Sequence, residues 1–541
     1  MSDTPSFDYV IAGAGSAGCV LANRLSEDPS VTVCLLEAGP PDRSPFIHVP
    51  MGMMKLPYHE KVNWRFNSVP QKTMNGRSIF IPRGKTLGGT SSINGMVYIR
   101  GNPRDYDDWA AAGNTGWSWS GVKPYFLKAE NNEQFDGPHH AKGGPLNVTF
   151  VKRPSKLERD FVAAAESLQY RENKDFNGDQ QDGFGIHQVT QKNGRRWSTA
   201  MGYLRPAMNR KNLTVMTDAP VARVLLDGRR AVGVELGGEG ARRIRARREV
   251  ILSLGAIISP KVLMLSGIGD GDALKTHGIE VLHHLPGVGR NLQDHAAIGV
   301  AMRTGSNIPY GMSWPVLPRL AWNGIEYLLR RTGLLASNLV ESGGFIRTQR
   351  DLDRPDIQFV FVPGWRPTPP IKFVEFGVHG YSLFAVLLRP KSRGTVGLAS
   401  RDPAASPLID PRFYSEPVDM EVMLRGLKEA RRIIHAEPFQ KYKPRETSPG
   451  PDVQSDEALR NHVRTNGSTI YHPVGTCKMG NDAAAVVDAR LRVRGIEALR
   501  VVDASIMPTI CGGNTNAPTI MIGEKAADMI KEDARVVRQA A

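Results

Sequence analysis

A short segment near the N-terminus decides the fold, and it reads Asp8-Tyr9-Val10-Ile11-Ala12-Gly13-Ala14-Gly15-Ser16-Ala17-Gly18. Its apolar first half predicts a buried strand, and the residues up to position 25 have helical periodicity. Pro29 ends that helix, and residues 31–36 predict a second buried strand that finishes at Glu37. Strand, glycine turn, helix and strand in this order are typical of a dinucleotide-binding βαβ unit.

Each glycine of this turn has a physical role in that unit. Gly13 permits the tight turn, Gly15 lets the backbone approach a pyrophosphate, and Gly18 allows the helix to pack closely on the strand. Glu37 is placed to accept hydrogen bonds from an adenosine ribose, and its charge disfavours a 2′-phosphate. The predicted nucleotide contacts are Gly13, Gly15, Ser16, Ala17, Gly18, Glu37 and Ala38. A glycine turn without a ligand is the alternative, and the pattern alone does not separate FAD from NAD.

Length and composition indicate a globular protein of more than one domain. The chain has 541 residues, of which 41% are hydrophobic and 23% charged, and a chain of this length normally divides into at least two domains. No apolar run reaches the roughly 18 residues needed to cross a bilayer. The first residues lack the features of a signal peptide, and the four cysteines show no metal-binding or disulfide spacing. We therefore expect a cytoplasmic protein with reduced thiols and no metal.

The formal net charge of +15 raises the question of an anionic partner. The basic residues are spread along the chain and no nucleic-acid-binding module is recognisable, so nucleic-acid binding is not expected. Attraction to an anionic membrane face is compatible with the charge, which allows a peripheral location on the inner face of the cell membrane. Residues 310–335, which mix apolar and aromatic residues with arginines, fit an interfacial helix, a lid over an apolar pocket or a plain core helix.

The glycine-rich segment 81–97 is the most unusual part of the sequence. It combines cations, paired glycines, a cluster of hydroxyl residues and an asparagine before it returns to apolar residues. A loop of this kind offers backbone donors to a phosphate or to the edge of a flavin. The alternative is an ordinary loop in which residues 90–92 cap the next helix.

Together with four later segments, this stretch resembles the glucose–methanol–choline (GMC) oxidoreductase family. The later segments are residues 254–269, 286–295, 471–480 and 502–519. They occur in family order, and the resemblance extends from residue 8 to about residue 530. Bacterial dehydrogenases of medium-chain primary alcohols, choline dehydrogenases and polyethylene-glycol dehydrogenases are the members that look most similar.

The resemblance implies FAD as the cofactor and a set of residues around it. Besides the N-terminal turn, the implied contacts are Arg83, Leu87, Gly88, Thr90, Ser91, Asn94, Gly95, Met96, Val97, Val221, Asp503, Ala504, Thr515 and Asn516. Some members attach FAD covalently to a histidine just before the motif asparagine, whereas this chain has Ile93 there. Because an alkyl side chain has no nucleophilic nitrogen, noncovalent FAD is predicted.

The resemblance also implies a catalytic pair, His472 and Asn514. A histidine suits the removal of a hydroxyl proton because its unperturbed pKa, about 6.5, is close to neutral pH. An asparagine can hold the substrate oxygen without titrating. We expect primary alcohols to be oxidised to aldehydes by hydride transfer to flavin N5, with a quinone or another acceptor taking the electrons. His295, in a family motif, is expected to support the structure.

The substrate side is less determined by sequence. Relatives place Glu341 at the substrate pocket, where a glutamate can hold a cationic head group, and an ion pair with an arginine is the alternative role. Choline dehydrogenase, an oxygen-using alcohol oxidase and an FAD-containing lyase stay open as alternative activities. The absence of a G-x-S-x-G pattern argues against a hydrolase. The oligomeric state is not indicated.

The expected fold is mixed α/β, with a Rossmann-like FAD-binding domain and a discontinuous substrate-binding domain built on an antiparallel sheet. Residues 1–158, 214–309 and 464–541 are assigned to the FAD-binding domain. Residues 159–213 and 310–463 are assigned to the substrate-binding domain, because strand-rich segments such as 356–361 and 382–388 fall there.

Overall fold

Two seven-stranded sheets organise the chain in this computed structural model, which describes residues 4–238, 242–366 and 375–540. The proline-rich stretch 362–370 lies outside the described residues from position 367 onward. Each sheet supports its own main hydrophobic core. The mixed α/β class predicted from the sequence is confirmed.

The first sheet contains the N-terminal βαβ unit. Its central strands are parallel, and a meander of antiparallel strands continues one side. In spatial order the strands are Leu213–Met216, Val33–Leu36, Ser6–Ala12, Arg243–Leu252, Arg230–Leu236 and Val221–Asp227, and Leu499–Val501 also pairs with Arg243–Leu252. Parallel strands buried on both faces are near-continuous apolar runs, and residues 9–12 and 33–36 are fully buried.

The second sheet is antiparallel throughout. In spatial order its strands are Arg445–Ser448, Ala296–Thr304, His379–Leu387, Ile357–Val362, Ser342–Ile346 and Gly183–Ile186, and Ser468–Thr469 also pairs with Ala296–Thr304. The helices Lys156–Ser167 and Pro417–Ile434 bury their apolar faces against it. An antiparallel sheet covered by helices on one side can offer its other side to a cavity.

The remaining elements are helices and short strand pairs around the two sheets. The α-helices not yet given are Ser16–Leu25, Pro45–His48, Pro103–Ala111, Trp119–Ala129, Arg205–Ala207, Gly255–Leu265, Gly271–Thr276, Leu317–Arg330, Glu437–Gln440, Asp456–Asn466 and Asn516–Ala540. Short 3₁₀ turns span Pro50–Met54, Leu56–Tyr58, Lys72–Met74, Gly89–Ser92, Trp314–Val316, Leu334–Ala336 and Ala504–Ile506, and Ala200–Leu204 is a π-helical turn. The small strands are Phe66–Asn67, Phe80–Ile81, Glu130–Asn132, Leu146–Phe150, Gln188–Val189, Gln191–Lys192, Arg195–Arg196, Ile268–Gly269, His283–His284, Thr395–Gly397 and Leu408–Asp410.

The predicted domain assignment does not coincide everywhere with the division of the strands between the two sheets. Strand Ala296–Thr304 was assigned to the FAD-binding domain, but it lies inside the second, antiparallel sheet. Ser468–Thr469 pairs with the same strand, although it too falls in a segment assigned to the first domain. The sequence pattern could not separate these cases, because a fully buried strand is an unbroken apolar run in either sheet.

Three further expectations concern single segments. All four cysteines are buried and unbridged. Helix Leu317–Arg330 is not a core helix, because Tyr327 is its only buried residue. The C-terminal helix begins at Asn516, two residues after Asn514. Among the described residues, no helix combines the length and apolarity that a membrane span requires.

Candidate active site

One cavity collects most of the residues that the sequence singled out. Its wall includes parts of both sheets, the glycine turn, the 81–97 segment and the start of the C-terminal helix. The predicted site residues on this wall are Gly13, Gly15, Ser16, Ala17, Glu37, Ala38, Arg83, Thr90, Asn94, Gly95, Met96, Val97, His472, Asp503, Ala504, Asn514, Thr515 and Asn516. Segments about 500 residues apart in sequence therefore meet at one site, where the Ser16 hydroxyl donates to the Asn516 side-chain oxygen at 2.7 Å.

The glycine turn leaves room for a ligand on the cavity side. A Cβ at Gly13 would lie 2.5 Å from the Ser253 carbonyl oxygen, so the protein itself requires glycine there. A Cβ at Gly15 would meet only that oxygen, at an ordinary 3.7 Å, and would otherwise point into open space. No protein atom fills the space in front of Gly15, so a ligand can approach the backbone there. A helix N-terminus beside such a space is a ready site for phosphate groups.

Two buried carboxylates, those of Glu37 and Asp503, lie on the cavity wall. Glu37 accepts hydrogen bonds from the amides of Ala14 at 3.0 Å and Gly39 at 2.9 Å, while burial raises the pKa of its carboxyl to about 7. Asp503 accepts from the Gly255 amide at 2.8 Å and from the Ser259 hydroxyl at 2.6 Å. Each oxygen of Glu37 keeps a second lone pair, which suits ribose hydroxyls. The glycine turn and these acids fit the adenosine and pyrophosphate of a dinucleotide.

Six predicted site residues do not lie on the cavity wall: Gly18, Leu87, Gly88, Ser91, Val221 and Glu341. Gly18 has the predicted packing role, since a Cβ there would lie 1.9 Å from the Gly13 carbonyl oxygen. Gly88 donates its amide to the Ala14 carbonyl at 2.8 Å, and the Ser91 hydroxyl contacts Thr199 at 2.9 Å. Gly18, Gly88 and Ser91 therefore support the wall through packing and hydrogen bonds behind it.

The structure corrects the expectation for Glu341. Its side chain is fully buried outside the cavity, where it accepts a hydrogen bond from the Ser155 amide at 3.0 Å. Its neighbour is the buried Glu158, which accepts from the Ser342 hydroxyl, and burial raises the pKa of both carboxyls. Val340, the residue before it, lines the cavity instead. No arginine pairs with Glu341 among the described residues.

The catalytic pair predicted from the resemblance lies at the other end of the cavity. The Nε2 atom of His472 is 3.3 Å from Nδ2 of Asn514. Strand pairing brings His472 into place, because Thr469 lies opposite Ala296 and the Ile470 amide donates to the His295 carbonyl at 3.1 Å. The side chain of Asp294 accepts the His472 amide at 2.7 Å. The loop that carries His472 is thus fixed from both sides.

A contact with His295 determines which nitrogen of His472 carries a proton. Nε2 of His295 lies 3.1 Å from the Leu388 carbonyl oxygen, which can only accept, so Nε2 carries the hydrogen. Burial lowers the pKa of His295 to about 3, so its Nδ1 is an acceptor. This Nδ1 lies 3.0 Å from Nδ1 of His472, which must therefore be the donor. A neutral His472 then has its lone pair on Nε2, beside Asn514.

Three polar residues on the wall were missed by the sequence reasoning. Gln358 donates to the Asn514 side-chain oxygen at 3.3 Å, which leaves the Asn514 amide directed at His472. His187 has an unpartnered, buried Nε2. Arg366 is a buried guanidinium with an unpartnered Nε. A single glutamine in the apolar strand Ile357–Val362 was a usable signal for the first, whereas the other two depend on tertiary packing.

Comparison with known proteins agrees with this geometry. Models of the GMC oxidoreductase family match residues 7–297 and 390–523. The chain belongs to the GMC oxidoreductase family. It is 48% identical to "Alcohol dehydrogenase [acceptor]" of Pseudomonas putida over 97% of this chain and 95% of that protein. It is 44% identical to "Oxygen-dependent choline dehydrogenase" of Chromohalobacter salexigens, covering 98% of this chain and 96% of that one.

Solved structures of similar fold extend over the whole chain. Pyridoxine 4-oxidase from Mesorbium loti superposes with a TM-score of 0.88 at 31% identity, covering 97% of this chain and 99% of that one. A formate oxidase variant of Aspergillus oryzae gives a TM-score of 0.91 at 27% identity, covering 99% and 100%. This GMC oxidoreductase is an FAD-dependent enzyme, and its cavity fits that cofactor. Among the described residues, no group of three or more His, Cys, Asp or Glu side chains could hold a metal.

Proposed function

We propose that this GMC oxidoreductase oxidises a primary alcohol to the aldehyde, with His472 as the base and Asn514 as the group that holds the hydroxyl oxygen. The observation that carries the proposal is the Nε2 lone pair of His472, which faces the cavity 3.3 Å from the Asn514 amide. A hydroxyl between them can donate to the first and accept from the second. Both alcohol dehydrogenases and choline dehydrogenases are among the relatives.

The chain's own residues account for the proton and for the orientation of the alcohol. The hydroxyl proton moves to Nε2 of His472, and the Nδ1–H···Nδ1 contact with His295 holds the ring in place as the charge develops. Gln358 fixes the Asn514 amide, which keeps the oxygen aligned. FAD, when bound, accepts the hydrogen that leaves carbon with its electron pair. Holding the alcohol in one geometry is itself a large part of catalysis.

The base is in its active form around neutral pH. Burial, together with His295 and Arg83, lowers the pKa of His472 well below its usual 6.5. Because the charged form is disfavoured, the neutral imidazole that can accept a proton prevails at pH 6.5 and above. The proton it accepts in the reaction is then held in an unfavourable environment, which favours its later release.

We expect His295→Phe to lower the rate of flavin reduction by an alcohol by about tenfold or more, since one general-base contribution is typically 10²–10⁴-fold. Phenylalanine leaves Nδ1–H of His472 without its acceptor. His295→Gln should restore part of the rate, because a glutamine can accept from His472 and donate to the Leu388 carbonyl. Stopped-flow reduction with bound FAD measures both; equal rates in the two variants would contradict a role in setting the tautomer.

The cofactor contacts predicted from the family motifs become part of the proposal. The first sheet with the glycine turn would bind FAD, and the second sheet would form the substrate side. Ile93 lies on the cavity wall, where an alkyl side chain cannot bond to the flavin, so we propose that FAD is bound noncovalently. Acid precipitation should therefore release all of the flavin into the supernatant.

Electron acceptor and alcohol class belong to the same proposal. We propose a quinone or another acceptor in place of oxygen, in line with the bracketed term in the name of the Pseudomonas relative. Anaerobic addition of octanol, benzyl alcohol, choline and polyethylene glycol tests the alcohol, and readmitted air tests oxygen. Rapid peroxide formation would indicate an oxidase, and FAD that no alcohol reduces would favour a lyase.

We also propose peripheral contact with an anionic membrane through the helix Leu317–Arg330. Its outer face exposes large apolar side chains, with Leu328 and Leu329 about three-quarters exposed and Trp322 60% exposed. Trp314, just before the helix, is 76% exposed. Apolar side chains next to arginines on a helix surface suit the boundary of a bilayer, and the net charge of +15 favours anionic lipid.

The combined change Trp322→Ser, Leu328→Ser and Leu329→Ser should reduce flotation with vesicles of anionic lipid by about tenfold, because each residue loses apolar area available for insertion. Leu408→Ser with Val418→Ser is the matched control, since both residues are about half exposed elsewhere on the surface. Equal flotation of all variants, or none by the wild-type protein, would contradict the membrane contact.

A further inference from the structure

The most unusual group on the cavity wall is Arg366. The residue is 7% exposed, and its guanidinium makes only weak or local contacts. Nη1 donates to the carbonyl of the adjacent Trp365 at 3.0 Å, Nη2 lies 3.8 Å from the sulfur of Met54, and Nε has no partner. Buried guanidinium groups normally pair with a carboxylate, because an uncompensated buried charge is costly.

No carboxylate in the part of the chain that the structure describes serves this arginine. Among the described residues no acid forms an ion pair with it, and the sequence from 367 to 374 contains neither Asp nor Glu. The two acids on the cavity wall, Glu37 and Asp503, accept hydrogen bonds from backbone amides and do not contact Arg366. Burial lowers the pKa of Arg366 to about 10, so it still carries its charge at neutral pH.

The position of Arg366 relative to the catalytic pair can be read from one strand. Gln358, Val360 and Val362 lie on the same face of Ile357–Val362, and all three line the cavity. Gln358 contacts Asn514. At the other end, Val362 is paired with Ser382, whose hydroxyl accepts the amide of Arg366 at 2.8 Å. The four steps from Gln358 to Val362 span about 13 Å of backbone, so the apolar side chains of Val360 and Val362 lie between Gln358 and the segment that carries Arg366.

We propose that Arg366 binds the carboxylate of the substrate, and that this enzyme prefers ω-hydroxycarboxylates of intermediate chain length. The hydroxyl would lie at His472 and Asn514, and the chain would follow the wall formed by Val360 and Val362. A span of about 13 Å corresponds to roughly ten C–C bonds, because a bond of about 1.5 Å advances an extended chain by about 1.3 Å. This proposal rests on the alcohol oxidation proposed above, and only the alcohol end reacts.

The chemistry is that of the alcohol group alone. The –CH₂OH group becomes –CHO, the hydroxyl proton goes to His472, and the hydrogen with its electron pair goes to FAD, while the carboxylate is unchanged. A positive charge at this end of the cavity disfavours a cationic group at the far end of a substrate chain of this length. Glu341, which could have held such a cation, is turned away from the cavity.

The test compares 10-hydroxydecanoate, its methyl ester and 1-decanol as reductants of the bound FAD without oxygen. In the wild-type enzyme we expect kcat/KM for the acid to exceed that for the ester by about tenfold or more, which corresponds to about 1.4 kcal/mol and suits one charge-assisted contact. Arg366→Met should bring this ratio close to one, mainly through KM, and Arg366→Lys should retain part of it. Flavin content verifies that each variant is folded.

Arg303→Met is the matched control, because the exposed Arg303 lies over the Trp365 ring at 4.2 Å and does not line the cavity. It removes the same charge near the same segment and should keep the wild-type ratio. The proposal is overturned if the ester is the better substrate, or if Arg366→Met keeps the preference for the acid. Reduction by decanol but not by the acid would overturn only this inference, whereas no reduction by any of the three would overturn the proposed function as well.

Discussion

Replacement of His472 by alanine is expected to slow flavin reduction by an alcohol about 10²-fold or more while FAD stays bound. The reason is local: the Nε2 lone pair beside Asn514 is the group placed to take the hydroxyl proton. His295 is a poor replacement, because it does not line the cavity and burial lowers its pKa to about 3. Stopped-flow absorbance under anaerobic conditions measures the effect in a single turnover.

A second buried histidine provides the control for this change. His462 is 8% exposed and contacts Asn466 on its own helix, away from the cavity wall. His462→Ala removes an imidazole of comparable burial and should leave the rate of flavin reduction within about twofold, since it has no part in positioning the alcohol. Unchanged flavin reduction in the His472 variant would remove that residue from the base role.

The second large effect is expected at Gly15, where alanine should weaken FAD binding by about tenfold or more, or about 1.4 kcal/mol. The protein tolerates a Cβ there, since its nearest neighbour would be the Ser253 carbonyl oxygen at 3.7 Å and the backbone φ of −76° suits alanine. The methyl group would instead fill the space in front of the helix N-terminus. Titration of the apoprotein with FAD measures the loss.

Two further glycines separate cofactor binding from folding. Gly18→Ala would bring a Cβ to 1.9 Å from the Gly13 carbonyl oxygen and should destabilise the protein itself. Gly397→Ala meets nothing within 4 Å and should change neither property. If Gly15→Ala bound FAD as tightly as the wild-type protein, the pyrophosphate would not lie at this turn.

Local sequence patterns predicted the parts of the site that depend on short-range structure. The strand, glycine turn and helix of residues 8–25 are confirmed, because the glycine positions and the apolar periodicity specify them within a few residues. Ordered motifs indicated that the segments around Asn94, His472 and Asn514 belong together, and the pairing of Thr469 with Ala296 is what positions His472. The family and its cofactor followed from the order of those motifs.

The remaining features depend on which way side chains face in the folded chain. Val340 lines the cavity, whereas the side chain of Glu341, one position later, is buried in the interior. The tautomer of His472 depends on the Leu388 carbonyl, which is distant in sequence. The unpaired state of Arg366 is visible only when all nearby acids are located. Sequence patterns do not contain these relations.

The most direct test of the account is anaerobic reduction of the bound FAD by a primary alcohol and by the same alcohol deuterated at the carbinol carbon. If His472 and Asn514 hold the alcohol for oxidation at that carbon, the oxidised flavin absorbance should disappear, and it should do so several-fold more slowly with the deuterated alcohol. FAD that stays oxidised with every alcohol tested, including a hydroxycarboxylate, would contradict the proposed oxidation and leave only the fold and the cofactor.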